Sequence, residues 1–110
     1  LRQLIAEASQ VEVVDSIYEY VTRLTQATRA HPMVALGISP RGALAVCRMA
    51  KARAFVLGRD YMIPEDVAAV FPDVCAHRLV LSTKARMLEE RPENIIRSIL
   101  DSVNMPVLRQ

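Results

Sequence analysis

The sequence has no tryptophan, only three glycines and two cysteines, and aromatic residues make up just 5% of its 110 positions. Each shortage excludes something. With so few aromatics the core has to be built from Leu, Val, Ile, Ala and Met, and that bias, with so little glycine, favours helices packed on helices. Two isolated cysteines, Cys47 and Cys75, each in an apolar neighbourhood, do not make a secreted disulfide framework; they read as buried, reduced thiols. No apolar run reaches the roughly 18 residues needed to span a bilayer, so no membrane span is expected, and no signal peptide is recognisable. Charge of one sign is also scarce: the formal net charge is +2. Lys and Arg read as interspersed with Asp and Glu, whereas a protein that lives by phosphate contacts concentrates its cations on one face. Nucleic acid is therefore not the expected partner, and any anion recognised should be a small, local one.

What is present points to a folded domain. Hydrophobic residues make up 52% and charged residues 24%, as in globular proteins rather than disordered chains. Residues 1–110 suffice for one domain, able to bury about two-thirds of its unfolded surface. Leu1, Leu4, Ile5 and Ala8 open the chain in helical rhythm, which suggests a piece of a larger protein whose N-terminal partner lies upstream. Val11-Glu12-Val13 alternates as a short extended link. Asp15 then caps a helix with Ile17, Tyr20, Val21 and Leu24 on one face, ending near Arg29 before Pro32. Residues 31–38 read as a loop. Ser39 and Pro40 give the strongest helix start, an N-cap followed by a first-turn proline. That helix should run to Leu57 and stop at Gly58, with Leu44, Cys47, Ala50, Ala54 and Leu57 facing the core.

Tyr61-Met62-Ile63 is a brief extended stretch, and Pro64-Glu65-Asp66 is a first turn suited to the helix dipole. Ile63 is a poor cap, since it cannot accept the free N–H groups. The helix is expected to reach Val70 or Phe71, with Pro72 interrupting and a further turn over Val74–Ala76. His77–Leu81 reads as a short strand or loop, and residues 82–91 as a charged, mobile segment. Pro92-Glu93-Asn94 opens a last helix that buries Ile95, Ile96, Ile99, Leu100 and Val103 before Pro106. Met33, Met49, Met62, Met87 and Met105 form no stripe and read as gap fillers. The pattern gives a mostly α fold, a small helical bundle of about five helices with short extended pieces.

One segment carries chemistry: Gly37-Ile38-Ser39-Pro40-Arg41. A tight turn ending at a helix N-terminus, with arginine in the first helical turn, brings free N–H groups, the helix dipole and a guanidinium to one small volume. That is an anion site suited to a phosphate oxygen. An arginine there opposes the helix dipole by a few tenths of a kcal/mol, so its placement invites a reason. The plainer alternative is that Ser39-Pro40 starts a helix and Arg41 points to water.

Four segments together, Thr28-Arg29-Ala30-His31-Pro32, Leu36–Leu44 (LGISPRGAL), Gly58–Val67 (GRDYMIPEDV) and His77-Arg78-Leu79-Val80-Leu81, resemble in order and spacing the C-terminal lid of the MoxR-type AAA+ ATPases. The likeness runs from about Val11 to Val107. It implies that Arg41 is a sensor-2 arginine acting on ATP held by a separate N-terminal core domain, with Gly37, Ser39 and Pro40 forming the nucleotide-binding turn around it. It further implies a parent ATP hydrolase using ATP and Mg²⁺, hexameric and cytoplasmic, with chaperone-like remodelling or cofactor insertion as its work. Its partners would be its own core domain, neighbouring subunits and von Willebrand A domain proteins. This chain has no G-x-x-x-x-G-K-[ST] loop and no acidic pair to hold Mg²⁺, so alone it is not expected to bind a nucleotide tightly or hydrolyse it. Two departures stand out: Ile63 where the family often has Thr or Ser, and Gly42, a weak helix residue that would loosen the first turn.

Other groups suggest less. Arg48, with Ala45 and Ala52 on its stripe, reads either as a docking face or as a solvated one. His77-Arg78 reads as a loop with no catalytic partner, although contact with a nucleotide or a protein is the alternative. Cys47, Cys75, His31 and His77 match no zinc spacing, so no metal site is expected. Of Asp60, Glu65 and Asp66, helix capping explains two. A free helical adaptor that binds a partner helix, and a small DNA-binding domain, are the competing functions.

Overall fold

A computed structural model of the chain describes residues 10–107; the opening helix expected over Leu1–Ala8 lies outside the described residues. Five helices are seen among them: α1 (Asp15–Ala30), α2 (Pro40–Val56), α3 (Pro64–Ala76), α4 (Thr83–Met87) and α5 (Pro92–Ser102). Two short strands, β1 (Val34–Leu36) and β2 (Val80–Leu81), pair antiparallel with Val34 opposite Leu81 and Leu36 opposite Val80. No described helix is long and apolar enough to cross a membrane.

The extended link at Glu12 bridges Tyr61 in parallel. The Glu12 N–H donates to the Asp60 carbonyl at 2.9 Å, and the Met62 N–H to the Glu12 carbonyl at 2.8 Å. α1 starts one residue earlier than expected: Val14 occupies the cap position without a side-chain bond, and Asp15 sits inside the first turn. There its charge still suits the dipole. Its apolar face is as the periodicity requires, with Ile17, Tyr20, Val21 and Leu24 buried.

α2 buries Ala50 and Ala54 as expected, but not Leu44 or Leu57. Gly42, Val46, Ala50 and Ala54 are its buried residues, a spacing of four that lines one narrow face. Leu44 and Leu57 are 49% and 56% exposed, and Cys47 is half-buried. The reason is size: α2 packs most extensively on α3, and a face of small residues lets the two backbones approach closely. Gly58, at φ +83°, ends the helix in the left-handed conformation that favours glycine.

α3 runs unbroken through Pro72. The proline removes one helical hydrogen bond, but Phe71, Val74 and Cys75 on either side of it are buried, and that packing holds the helix together. Within residues 82–91, read as a loose segment, residues 83–87 form a helix. The Ser82 hydroxyl accepts the Ala85 N–H at 3.1 Å and starts α4, whose Ala85 is buried. In α5, Ile95, Ile96 and Ile99 are buried; Leu100 and Val103 are half-buried at the edge.

The core is aliphatic with two exceptions, since Tyr20 and Phe71 are among its largest fully buried side chains. Of the methionines only Met62 fills it; Met33 is half-buried, and Met49, Met87 and Met105 are exposed. Cys75 is buried and Cys47 half-buried, both as free thiols. Burial pushes the Cys75 thiol up to about 12 and also raises Cys47, against the pull of Lys51.

Candidate functional site

The turn from Gly37 to Arg41 is built by the end of α1. Thr28, fully buried, donates its hydroxyl to the Thr25 carbonyl at 2.6 Å and accepts the Ile38 N–H at 2.9 Å. Arg29 Nε donates to the Ile38 carbonyl at 3.1 Å. Both backbone polar groups of Ile38 are therefore held by α1, and the Ile38 side chain is fully buried. Gly37 is glycine because of this closeness: a Cβ there would lie 2.8 Å from Thr28 Oγ1, the Arg29 backbone N and Arg29 Cγ.

Ser39 is the N-cap of α2, its hydroxyl accepting the Gly42 N–H at 3.3 Å and its carbonyl the Ala43 N–H at 3.0 Å. Pro40 has no N–H to satisfy. Of the first-turn amides, Arg41 N–H is thus the one left without an acceptor among the described residues. Its exposed side chain makes no ion pair or hydrogen bond among them either. The arrangement is more economical than a cluster of free amides: one N–H and one guanidinium at the positive end of a 17-residue helix.

Packing gives Gly42 a reason that helix propensity does not. It is buried, and a Cβ there would come within 2.6 Å of Ile38 Cγ2 and 3.2 Å of Arg78 Cδ. The stem of Arg78 therefore meets α2 at Gly42, the residue after Arg41, a proximity that sequence separation concealed. The pairing of β1 with β2 brings them together, as the Ser82 N–H donating to the Met33 carbonyl at 2.9 Å shows. The expectation that cations and acids are interspersed also fails in this region. No Asp or Glu occurs between Glu19 and Asp60, whereas Arg23, Arg29, Arg41, Arg48, Lys51, Arg53 and Arg59 all do. That signal was in the sequence.

Arg48 and Ala52 are exposed with Arg41, Leu44, Met49 and Val56 on the outer face of α2, and Ala45 is half-buried. Asp66 is engaged elsewhere. Fully buried, it receives Arg59 through two bonds, Nη1 to Oδ2 at 2.6 Å and Nη2 to Oδ1 at 2.7 Å, and Arg53 Nη1 to Oδ1 at 2.5 Å. Its Oδ2 also accepts the Ile63 N–H at 2.9 Å, while the first-turn Asp66 N–H, which the Ile63 side chain cannot accept, donates to the Ile63 carbonyl at 3.0 Å. Burial alone would raise this carboxyl; the hydrogen bonds from Arg59, Ile63 and Arg53, with the Arg59 charge, outweigh it and hold it below its ordinary value. This ion cluster ties the end of α2 to the start of α3. Periodicity and motif reading missed it because its arginines are read as surface cations. Among the described residues no three His, Cys, Asp or Glu side chains gather as metal ligands.

Comparison with known proteins places this geometry. A model of the AAA lid domain family matches residues 26–99. The uncharacterized protein YeaC of Bacillus subtilis is 41% identical over 103 residues, covering 94% of this chain and 32% of YeaC. The chaperone MoxR1 of Mycobacterium tuberculosis is 41% identical over 100 residues, covering 83% of this chain and 26% of MoxR1. A crystal structure of an ATPase candidate from Cytophaga hutchinsonii superposes with a TM-score of 0.86 at 32% identity, over 93% of this chain and 34% of that one. The chain spans about a third or less of the length of each of these relatives.

Proposed function

The chain belongs to the AAA lid domain family, in its MoxR-type branch, and on that premise we propose that residues 1–110 are one lid domain carrying Arg41 to ATP on the parent's core domain. The observation that carries this reading is the state of the turn. Its neighbouring polar groups are engaged in building it, and among the described residues the Arg41 N–H and guanidinium have no partner at the start of α2.

That donor set fits a terminal phosphate. The planar guanidinium presents parallel N–H groups to two phosphate oxygens, and the helix dipole favours negative charge at the same point. Arg41 would bind oxygens on which charge redistributes during phosphoryl transfer, the kind of electrostatic stabilisation on which such reactions depend. Gly37, Ser39 and Pro40 would shape the nucleotide-facing turn, with Thr28 and Arg29 holding it rigid. Loss of the terminal phosphate would remove the Arg41 contact and free the lid to change its angle. Mg²⁺ would be held by the parent's core, since no group of three His, Cys, Asp or Glu among the described residues could hold a metal.

The same reading gives the lid two protein partners, its own core domain and the neighbouring subunits of a hexameric, cytoplasmic ring. The outer face of α2, with Arg48 and exposed Leu44, Met49 and Val56, would lie toward the core. Chaperone-like remodelling or cofactor insertion, with von Willebrand A domain proteins as further partners, is supported by the family resemblance and by the name of MoxR1 as a chaperone. In the full-length parent, Arg41→Ala should lower ATP turnover about a hundredfold, as loss of one transition-state donor does. Arg41→Lys should restore only part. Unchanged turnover in Arg41→Ala would remove the sensor role.

A further inference from the structure

We propose that Arg78 is a second nucleotide-contacting cation, seated beside Arg41 in a notch that glycine at position 42 leaves open; this rests on the placement of Arg41 at the nucleotide. Arg78 lies just past the end of α3, and its side-chain stem passes over α2 at the residue after Arg41. A Cβ on Gly42 would be only 3.2 Å from Arg78 Cδ. The backbone beneath it is anchored on both sides. The Arg78 and Leu79 N–H groups both donate to the Cys75 carbonyl at 3.0 Å, and two residues further on β2 pairs with the strand that leads into the Gly37–Arg41 turn.

Arg78 makes no side-chain hydrogen bond or ion pair among the described residues and is exposed. Nor does the facing helix supply an acid, since α2 contains none. Arg29, tied through Nε to the Ile38 carbonyl, adds a third guanidinium from α1. Among the described residues none of these three arginines has a carboxylate partner; like charges repel one another, and a ligand with several adjacent negative charges relieves that repulsion. A polyphosphate chain has that form, with the terminal phosphate at Arg41 and a neighbouring phosphate oxygen within reach of Arg78.

The ordinary role for such a residue is packing of its methylene stem, and the charge-deleting variant separates the two. Arg78→Met keeps an unbranched stem over Gly42 and removes the charge. In the full-length ATPase it should raise KM for ATP roughly tenfold, the loss expected of one charge-assisted hydrogen bond. The change in kcat should be smaller, and the thermal midpoint should match the wild type. Arg78→Lys should recover part of the KM. A wild-type KM in Arg78→Met, or a raised KM accompanied by lost thermal stability, overturns the proposal. Arg41→Ala, assayed alongside, tells the two readings apart. If it loses turnover while Arg78→Met behaves as wild type, only the Arg78 contact fails. If Arg41→Ala keeps full turnover, the placement at the nucleotide fails and the Arg78 contact with it.

Discussion

At Gly42 helix propensity and packing oppose each other. Alanine is the better helix residue by up to ~1 kcal/mol, so Gly42→Ala would stabilise a bare helix. In the fold the new methyl meets Ile38 Cγ2 at 2.6 Å, and Ile38 is fully buried with its backbone held by Thr28 and Arg29. Overpacking of that kind costs about 1–3 kcal/mol. Gly42→Ala is therefore expected to lower stability in a urea titration, and a stabilised variant would show that the turn yields freely. Asp66 presents a second opposition, between burial and hydrogen bonding, and bonding wins. Because its folded-state value is depressed, its stabilisation is complete above the ordinary carboxylate value of about 3.9 and fades as pH falls through the lower folded value. Asp66→Asn should cost about 3 kcal/mol at neutral pH by leaving Arg53 and Arg59 without a counter-charge. The cost is tempered at Arg53, whose side chain is 38% exposed. Urea midpoints from pH 6 down to about 3 should fall more steeply for the wild type than for the variant; parallel curves would contradict this.

Among the elements, α3 shows how tertiary packing overrides a local rule. Pro72 predicts a break, yet the buried residues flanking it keep the helix continuous. Replacing it should restore the missing bond to the Ala68 carbonyl. Pro72→Ala is expected to raise stability by about 1–2 kcal/mol, the helical gain less the extra freedom of the unfolded chain. A lower thermal midpoint would mean that the ring's own packing matters more. The elements legible in the sequence were those whose signals are local: the Ser39-Pro40 start, the Gly58 stop, the α1 face and the α5 isoleucines. β1 and α4 were not. Val34–Leu36 forms a strand because Val80–Leu81 lies beside it, and residues 83–87 form a helix because Ser82 caps them and Ala85 finds a buried place. Neither partner is visible from within its own segment. The face of α2 was half judged: Ala50 and Ala54 are buried as expected, but Leu44 and Leu57 were also assigned inward, while close approach of α3 favoured Gly42 and Val46.

For the whole molecule, the fold class followed from composition and periodicity, and the family from four spaced segments that the AAA lid match over residues 26–99 largely covers. Of the candidate site, Arg41 could be singled out from its turn, and Arg78 only as an alternative nucleotide contact in a loop; that its stem reaches α2 at Gly42 depends on the β1–β2 pairing and could not be read from its own segment. The acid-free stretch from Tyr20 to Arg59 was readable in the sequence. Its arginines do two different jobs: Arg53 and Arg59 bind Asp66 and join α2 to α3, while Arg41 stands open at the other end of the same helix. The most direct measurement is a single-turnover ATP hydrolysis rate for the full-length parent bearing Arg41→Ala, at saturating enzyme, with the thermal midpoint taken on the same sample. The account predicts an unaltered midpoint and a chemical step slowed about a hundredfold; a wild-type rate from a normally folded variant would contradict it.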